Sequence, residues 1–229
     1  MIDIVFHPYT EIPMCENQEG THFHSHFPSF EECVAFHGHA CPGLATGYRV
    51  ATAAMKRLGV ARPYDEELVC VAETDACGVD AIQVVTGCTA GKGNLVIHDY
   101  GKHVFSFFSR NTDRAIRVRV REVERGERSA MDALRKKVFS GTASREEEGR
   151  FRSLMQEATA HVLSVPEDAL LQIAEISSPP PVKARIFATI TCACCGEPVA
   201  DAKTRVVDGS RVCIPCAESR AQGRERCSP

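Results

Sequence analysis

The stretch AFHGHACPGLATGYRV (Ala35–Val50) sets two histidines, a cysteine and a Pro-Gly pair directly ahead of an apolar-periodic run. From Pro42 the pattern is helical: Leu44, Tyr48, Ala51, Met55 and Leu58 step by four and three and line one face. Pro42 suits the first helical position, where its missing N–H costs nothing, and Gly59 suits a left-handed stop. His37, His39 and Cys41 therefore stand at the entrance of a long helix.

The segment that follows decides what meets that entrance. LVCVA (Leu68–Ala72) is a short continuous apolar run, the pattern of a strand buried on both faces, with Cys70 as core. The helix runs about 25 Å, and a strand continuing to Thr74 returns roughly 20 Å. Packed antiparallel, the strand ends beside the helix start, which brings Glu73, Asp75 and Cys77 near His39 and Cys41. Cys41 falls at one helix N-cap and Cys77 just before a second short helix, Val79–Thr86. Helix N-termini stabilise anions, so both thiols are expected to be drawn towards thiolate.

Thiolate plus imidazole suits zinc or another borderline-soft metal. Only one of His37 and His39 need be a ligand, the other orienting it or meeting a substrate. Each residue alone has a plainer reading, as a poor cap or a surface charge. Convergence of two segments is what points to a site. Cys41, Cys77 and Asp75 are its candidate reactive groups.

The second helix separates Cys77 from Cys88 by roughly 15 Å. Cys88 is thus expected at the opposite end of the domain, unless a dimer partner returns it. GCTAGKGN (Gly87–Asn94) offers Cys88 and Lys92 to an anionic ligand, although it lacks the Ser/Thr of a Walker A loop and a glycine-rich turn is the simpler reading.

Three strand candidates follow: LVIHDY, HVFSFFSR and AIRVRVR, the first two joined as a hairpin near Gly101-Lys102. In the third, Ile116, Val118 and Val120 alternate with Arg117, Arg119 and Arg121, a solvated arginine row of the kind that keeps an edge strand soluble. Two helices come next, the second opened by a Ser144/Glu147 capping box. Residues 1–28 read as an irregular extension carrying His22, His24 and His26.

SSPPPVKA (Ser177–Ala184) reads as a stiff linker, giving a main domain over 29–176, a linker over 177–185 and a small module over 186–229. The first 182 residues carry net charge −6 and the remainder +3. A net charge of −3 for the whole chain argues against nucleic-acid binding by bulk charge. With no basic-plus-apolar leader and no long apolar run, the expected location is the cytoplasm, away from membranes. Twelve cysteines in a reducing compartment indicate metal or redox chemistry rather than a disulfide scaffold.

The small module supplies the most specific motif: Cys192-x2-Cys195 and Cys213-x2-Cys216, with the Asp208-Gly209 turn signal between them. Four thiolates close a tetrahedron around structural zinc, and that zinc supplies folding free energy to a segment too short for much core. Cys194 offers a poorer alternative register, and Cys227 has no assignable role.

FHGHACPGLATGYRVA, AETDACGVDAIQVVTGCTAGKGNL and HDYGKHVFSFFSR together resemble the FmdE family of formylmethanofuran dehydrogenase proteins over roughly Phe30–Leu170. The resemblance implies an α+β fold of helix-strand-helix-three-strand order, related to a domain of glyceraldehyde-3-phosphate dehydrogenase. It also implies a homodimer with a metal-binding active site and a link to molybdenum or tungsten one-carbon chemistry. Carried over residue by residue, the family pattern falls on His37, His39, Cys41, Glu73, Asp75, Cys77, Asp80, Gln83, Cys88, Lys92 and Asn94. Some members of the family carry a C-terminal zinc module.

Two functional expectations follow. One is a metal protein with structural zinc in the small module and a second metal, zinc by donor preference, at His37/His39/Cys41, acting on a small anionic, one-carbon or pterin-type ligand. The other is an accessory or regulatory sensor whose zinc module contacts nucleic acid or a protein. The chain shows no molybdopterin or iron–sulfur signature, so the redox catalysis of such a complex is not expected to reside here.

Overall fold

The computed structural model describes residues 27–122 and 128–223; the histidines of the N-terminal extension and Cys227 lie outside them. The main domain begins with α1 (Phe30–His37), started by a Ser29/Glu32 capping box and stopped by Gly38 at φ 96°. Then come α2 (Pro42–Leu58), β1 (Leu68–Ala72), α3 (Gly78–Thr86), β2 (Leu95–Ile97), β3 (Val104–Ser109) and β4 (Arg114–Val120). It closes with α4 (Arg128–Phe139), α5 (Arg145–Ser164), α6 (Glu167–Leu170) and β5 (Leu171–Glu175).

The five strands form one sheet in the order β2-β1-β3-β4-β5. Only β1 and β2 run parallel, as the crossover through α3 requires. The helical stripe read from sequence is the core face of α2, with Leu44, Val50, Ala51 and Met55 fully buried. They join Cys70, Ala72, Phe105, Phe107, Ile116 and Val118 from one face of the sheet. Arg49 fastens α2 to the end of α5 by donating to the carbonyls of Val162, Leu163 and Val165, each at 2.9 Å. Val69, Phe108 and Ala115 form a smaller cluster on the other face of the sheet. There the linker is held by Arg110 donating to the Pro181 carbonyl at 2.7 Å.

Two strand expectations are corrected. LVIHDY and HVFSFFSR do not form a hairpin, because β1 lies between β2 and β3; the turn residues near Gly101 carry the chain across the end of β1 instead. Nor is the arginine strand an edge. β5 pairs antiparallel with β4 from Val120↔Leu171 to Ile116↔Glu175, so arginines mark one solvated face rather than a border.

The small module contains two hairpins, β6 (Thr189–Thr191) with β7 (Pro198–Ala200) and β8 (Thr204–Val207) with β9 (Ser210–Cys213), followed by α7 (Ile214–Ala221). Asp208-Gly209 makes the β8–β9 turn with positive φ at both residues, the geometry of a type I′ turn. Among the described residues no helix is long and apolar enough to cross a membrane.

Candidate metal centres

The end of β1 and the starts of α2 and α3 meet because two helices are allowed to touch. A Cβ on Gly47 would lie 2.1 Å from the Gly78 carbonyl oxygen, so only glycine fits where α2 crosses α3. One turn earlier, a Cβ on Gly43 would lie 3.3 Å from Cys77 Cβ and 3.9 Å from Cys41 Sγ. Close backbone approach thus brings Cys41 and Cys77 side by side.

His37 completes the group, as ligand atoms of His37, Cys41 and Cys77 all lie within 4.8 Å of one another. His37 Nε2 is 3.9 Å from Cys41 Sγ. Its Nδ1 meets the Asp80 carboxylate at 2.7 Å, which fixes the ring and leaves Nε2 free to act as a donor. Gln83 donates to the other Asp80 oxygen at 3.4 Å. A zinc ion bound to one nitrogen and two sulfurs places S and N about 3.6 Å apart and the two sulfurs about 3.8 Å apart. The donor set therefore fits such an ion with little adjustment, and three protein ligands leave a fourth position open.

The other candidates are placed as follows. His39 is exposed and supplies no atom to the group; its ring lies 4.6 Å from the ring of His37. Asp75 is exposed on the loop ahead of Cys77. Glu73 turns away to Arg117 at 2.9 Å and Lys102 at 3.9 Å. Cys88 is buried at the far end of α3, its thiol donating to the Leu68 carbonyl at 3.4 Å, and burial pushes that thiol up to about 11. Lys92 donates to the Asp65 carbonyl at 3.2 Å, and Asn94 binds the Leu68 carbonyl at 2.9 Å. The Gly87–Asn94 loop is thus folded onto its own scaffold, away from the three-ligand group.

The expected thiolate bias fails at Cys77. Its backbone is already helical (φ −42°, ψ −31°) and its side chain makes no capping bond, so the sulfur does not meet the amides of α3. Burial and then the neighbouring Cys41 hold its thiol above the ordinary range. Cys41 does cap its helix, its Sγ accepting from Leu44 N–H at 3.3 Å.

In the small module the sulfurs of Cys192, Cys195, Cys213 and Cys216 lie within 4.8 Å of one another. Cys194 contributes no sulfur to them; its amide donates to Cys192 Sγ at 3.4 Å, as the Cys213 amide does at 3.2 Å. Backbone donors, that of Cys195 first, lower the Cys192 thiol to about 6, whereas neighbouring thiols, Cys213 first, push Cys216 up to about 12. A dication resolves that competition by accepting all four sulfurs as thiolates.

Residues 36–172 match the family described as "FmdE, Molybdenum formylmethanofuran dehydrogenase operon". The chain belongs to the FmdE family. Residues 185–222 match the "Prokaryotic dksA/traR C4-type zinc finger", in agreement with the four-cysteine cluster. A curated relative, the "Probable S-adenosyl-L-methionine-binding protein" of Archaeoglobus fulgidus, is 32% identical over 191 residues. The match covers 80% of this chain and 51% of that protein, so the chain spans about half the length of its relative. The crystal structure of an FmdE-like protein of tungsten formylmethanofuran dehydrogenase from Syntrophus aciditrophicus is similar with a TM-score of 0.53 and 23% identity, covering 83% of this chain and 92% of that one. That likeness concerns the fold.

Sequence alone did not reveal the device that assembles the centre. The carboxylate behind His37 was legible only as part of a family pattern. Gly47 inside an otherwise apolar-periodic helix was the available signal for close packing, since glycine there costs about 1 kcal/mol relative to alanine.

Proposed function

We propose that this FmdE-family protein carries a catalytic-type metal centre, held by His37, Cys41 and Cys77, beside a purely structural zinc in its C-terminal module. The observation that carries the reading is the convergence of those three donors within 4.8 Å with Asp80 fixed behind His37. Zinc bound there would supply a Lewis acid with an exchangeable fourth position. The chain's own residues account for the rest. Asp80 holds the His37 tautomer, Cys41 and Cys77 balance the charge of a dication, and exposed His39 and Asp75 border the opening.

The substrate we propose is a small molecule of one-carbon metabolism connected with formylmethanofuran dehydrogenase. The family description and the partly matching relative, described as a probable S-adenosyl-L-methionine-binding protein, support that reading. We read the protein as a cytoplasmic homodimer. The four-cysteine module offers no open coordination position, and residues 185–222 carry five Lys/Arg against four Asp/Glu. Near-neutral charge favours a protein contact over nucleic acid if the module has a partner.

Metal analysis of the full chain tests the central reading. Wild type should bind about two metal ions per chain and Cys41→Ala about one, with the module's zinc retained. Equal metal content in the two proteins would remove Cys41 from any ligand set.

A further inference from the structure

The arginine row of β4 is left unexplained by its position inside the sheet. β4 runs in the same direction as β1, because each is antiparallel to β3. The carboxyl ends of both strands therefore point to the edge of the sheet where Cys77 follows β1. At that edge Glu73 N–H donates to the Val104 carbonyl at 2.9 Å, and Val104 is the register partner of Arg119. Two strand spacings, roughly 10 Å, thus separate Glu73 from Arg119, and Arg121 lies beyond.

The loop between β2 and β3 closes over the same edge. Tyr100 and Lys102 amides donate to the Glu73 carbonyl at 3.1 and 3.0 Å. Lys102 Nζ stands 5.8 Å from the Tyr100 ring centre. Glu73 itself is matched by Arg117, and the other nearby carboxylates are Asp75, Asp99, Asp80 and Glu122. Asp80 is held by His37, and Asp99 accepts the Gly101 amide at 3.0 Å. Arg119 and Arg121 are exposed and make no hydrogen bond or ion pair with another described residue.

Two exposed, unmatched guanidinium groups and an exposed ammonium at the mouth of a site raise the local concentration of anions and speed their arrival. We propose that the metal centre takes a multiply charged small organic anion, gathered by Lys102, Arg119 and Arg121. The proposal rests on His37, Cys41 and Cys77 being a metal centre, and adds the class of ligand.

The test uses the full zinc-loaded chain and two probes that share a ring and differ in charge, benzene-1,3,5-tricarboxylate and benzoate, followed by calorimetry. The tricarboxylate should bind about tenfold or more tighter at low salt, and the advantage should fade at about 0.5 M salt as screening shortens the reach of the charges. Arg119→Glu with Arg121→Glu should weaken the tricarboxylate about tenfold. Zinc content and melting temperature should stay unchanged, and Lys56→Glu at the other end of α2 should have no effect. Equal affinity for the two probes, or wild-type affinity in the double variant, overturns the proposal. So does tricarboxylate binding that persists in Cys41→Ala, because the anion would then be held elsewhere. Zinc counted on the same samples separates the two readings: about two ions without charge preference defeats this inference alone, whereas an undiminished count in Cys41→Ala defeats the metal centre itself.

Discussion

Replacing Gly47 by alanine should disable the first metal centre without touching a ligand. The added Cβ would lie 2.1, 2.5 and 2.6 Å from the carbonyl oxygen, Cα and carbonyl carbon of Gly78. All three are backbone atoms, so no side-chain rotation relieves the clash. Reaching an ordinary contact near 3.4 Å requires α2 and α3 to part by more than 1 Å at their crossing. The crossing lies one turn from Gly43, which itself packs on Cys77, so the Cys41–Cys77 gap must open with it. Zinc tolerates only about 0.2 Å of error in its ligand distances, so metal affinity should drop by about two orders of magnitude or more. Overpacking should also cost about 1–3 kcal/mol of stability, and each kcal/mol corresponds to about 2–4 °C in Tm for a chain of this size. Metal analysis by mass spectrometry, with thermal melting on the same samples, should give about one ion per chain and a lowered Tm. Gly149→Ala, with open space around its Cβ in α5, is the control and should stabilise slightly. A Gly47→Ala protein that keeps both metal ions and its melting temperature refutes the idea that the glycine crossing sets the site.

Further outcomes follow from the same geometry. Asp80→Ala should lower metal affinity at the first centre about 10–100-fold while the far-UV spectrum and the module's zinc are unchanged, checked by competitive chelation; unaltered affinity would deny the carboxylate its orienting role. Cys213→Ala should unfold only the C-terminal module, visible as loss of amide dispersion for residues 189–221, because the other three sulfurs cannot close the tetrahedron. Cys88 titrates in the folded chain at about 11 against about 9 when exposed, so the folded state binds the extra proton between these values. Stability is then complete below about pH 9 and falls by about 2–3 kcal/mol as pH rises to 11. Cys88→Ala should flatten that alkaline loss in denaturant titrations, and an unchanged slope would contradict the burial argument.

How much of this was legible beforehand depended on the range of the interaction. α2 could be read end to end, because a stripe, a Pro start and a Gly stop are all local. β1 was equally plain from its unbroken apolar run. The capping box of α1 sat in the sequence at Ser29 and Glu32, although a short helix with little apolar periodicity gave no further sign of itself. Strand neighbours were another matter. A strand only three residues long, β2, carries no information about its partner, and β1 inserted where local turn chemistry favoured a hairpin. β5 announces itself by no more than Leu171 and Ile173, which turn inward only because β4 offers them a place.

The same division of range separates the two metal centres and explains why one was readable and the other only half so. In the C-terminal module each pair of cysteines is brought together by its own knuckle, so spacing alone carries the chemistry. The first centre draws its ligands from residues 37, 41 and 77, and its assembly depends on a contact between two glycines, Gly47 and Gly78, that carry no functional group at all. Helix and strand lengths were enough to predict that the two segments meet. They could not choose between His37 and His39, because that choice is made by Asp80, one turn into α3, on a face that exists only once α1 and α3 have packed. A ligand set of this kind is a tertiary property. Its imprint in the chain is found in the small residues that let backbones touch and in the carboxylate that orients a ring, as much as in the ligands themselves.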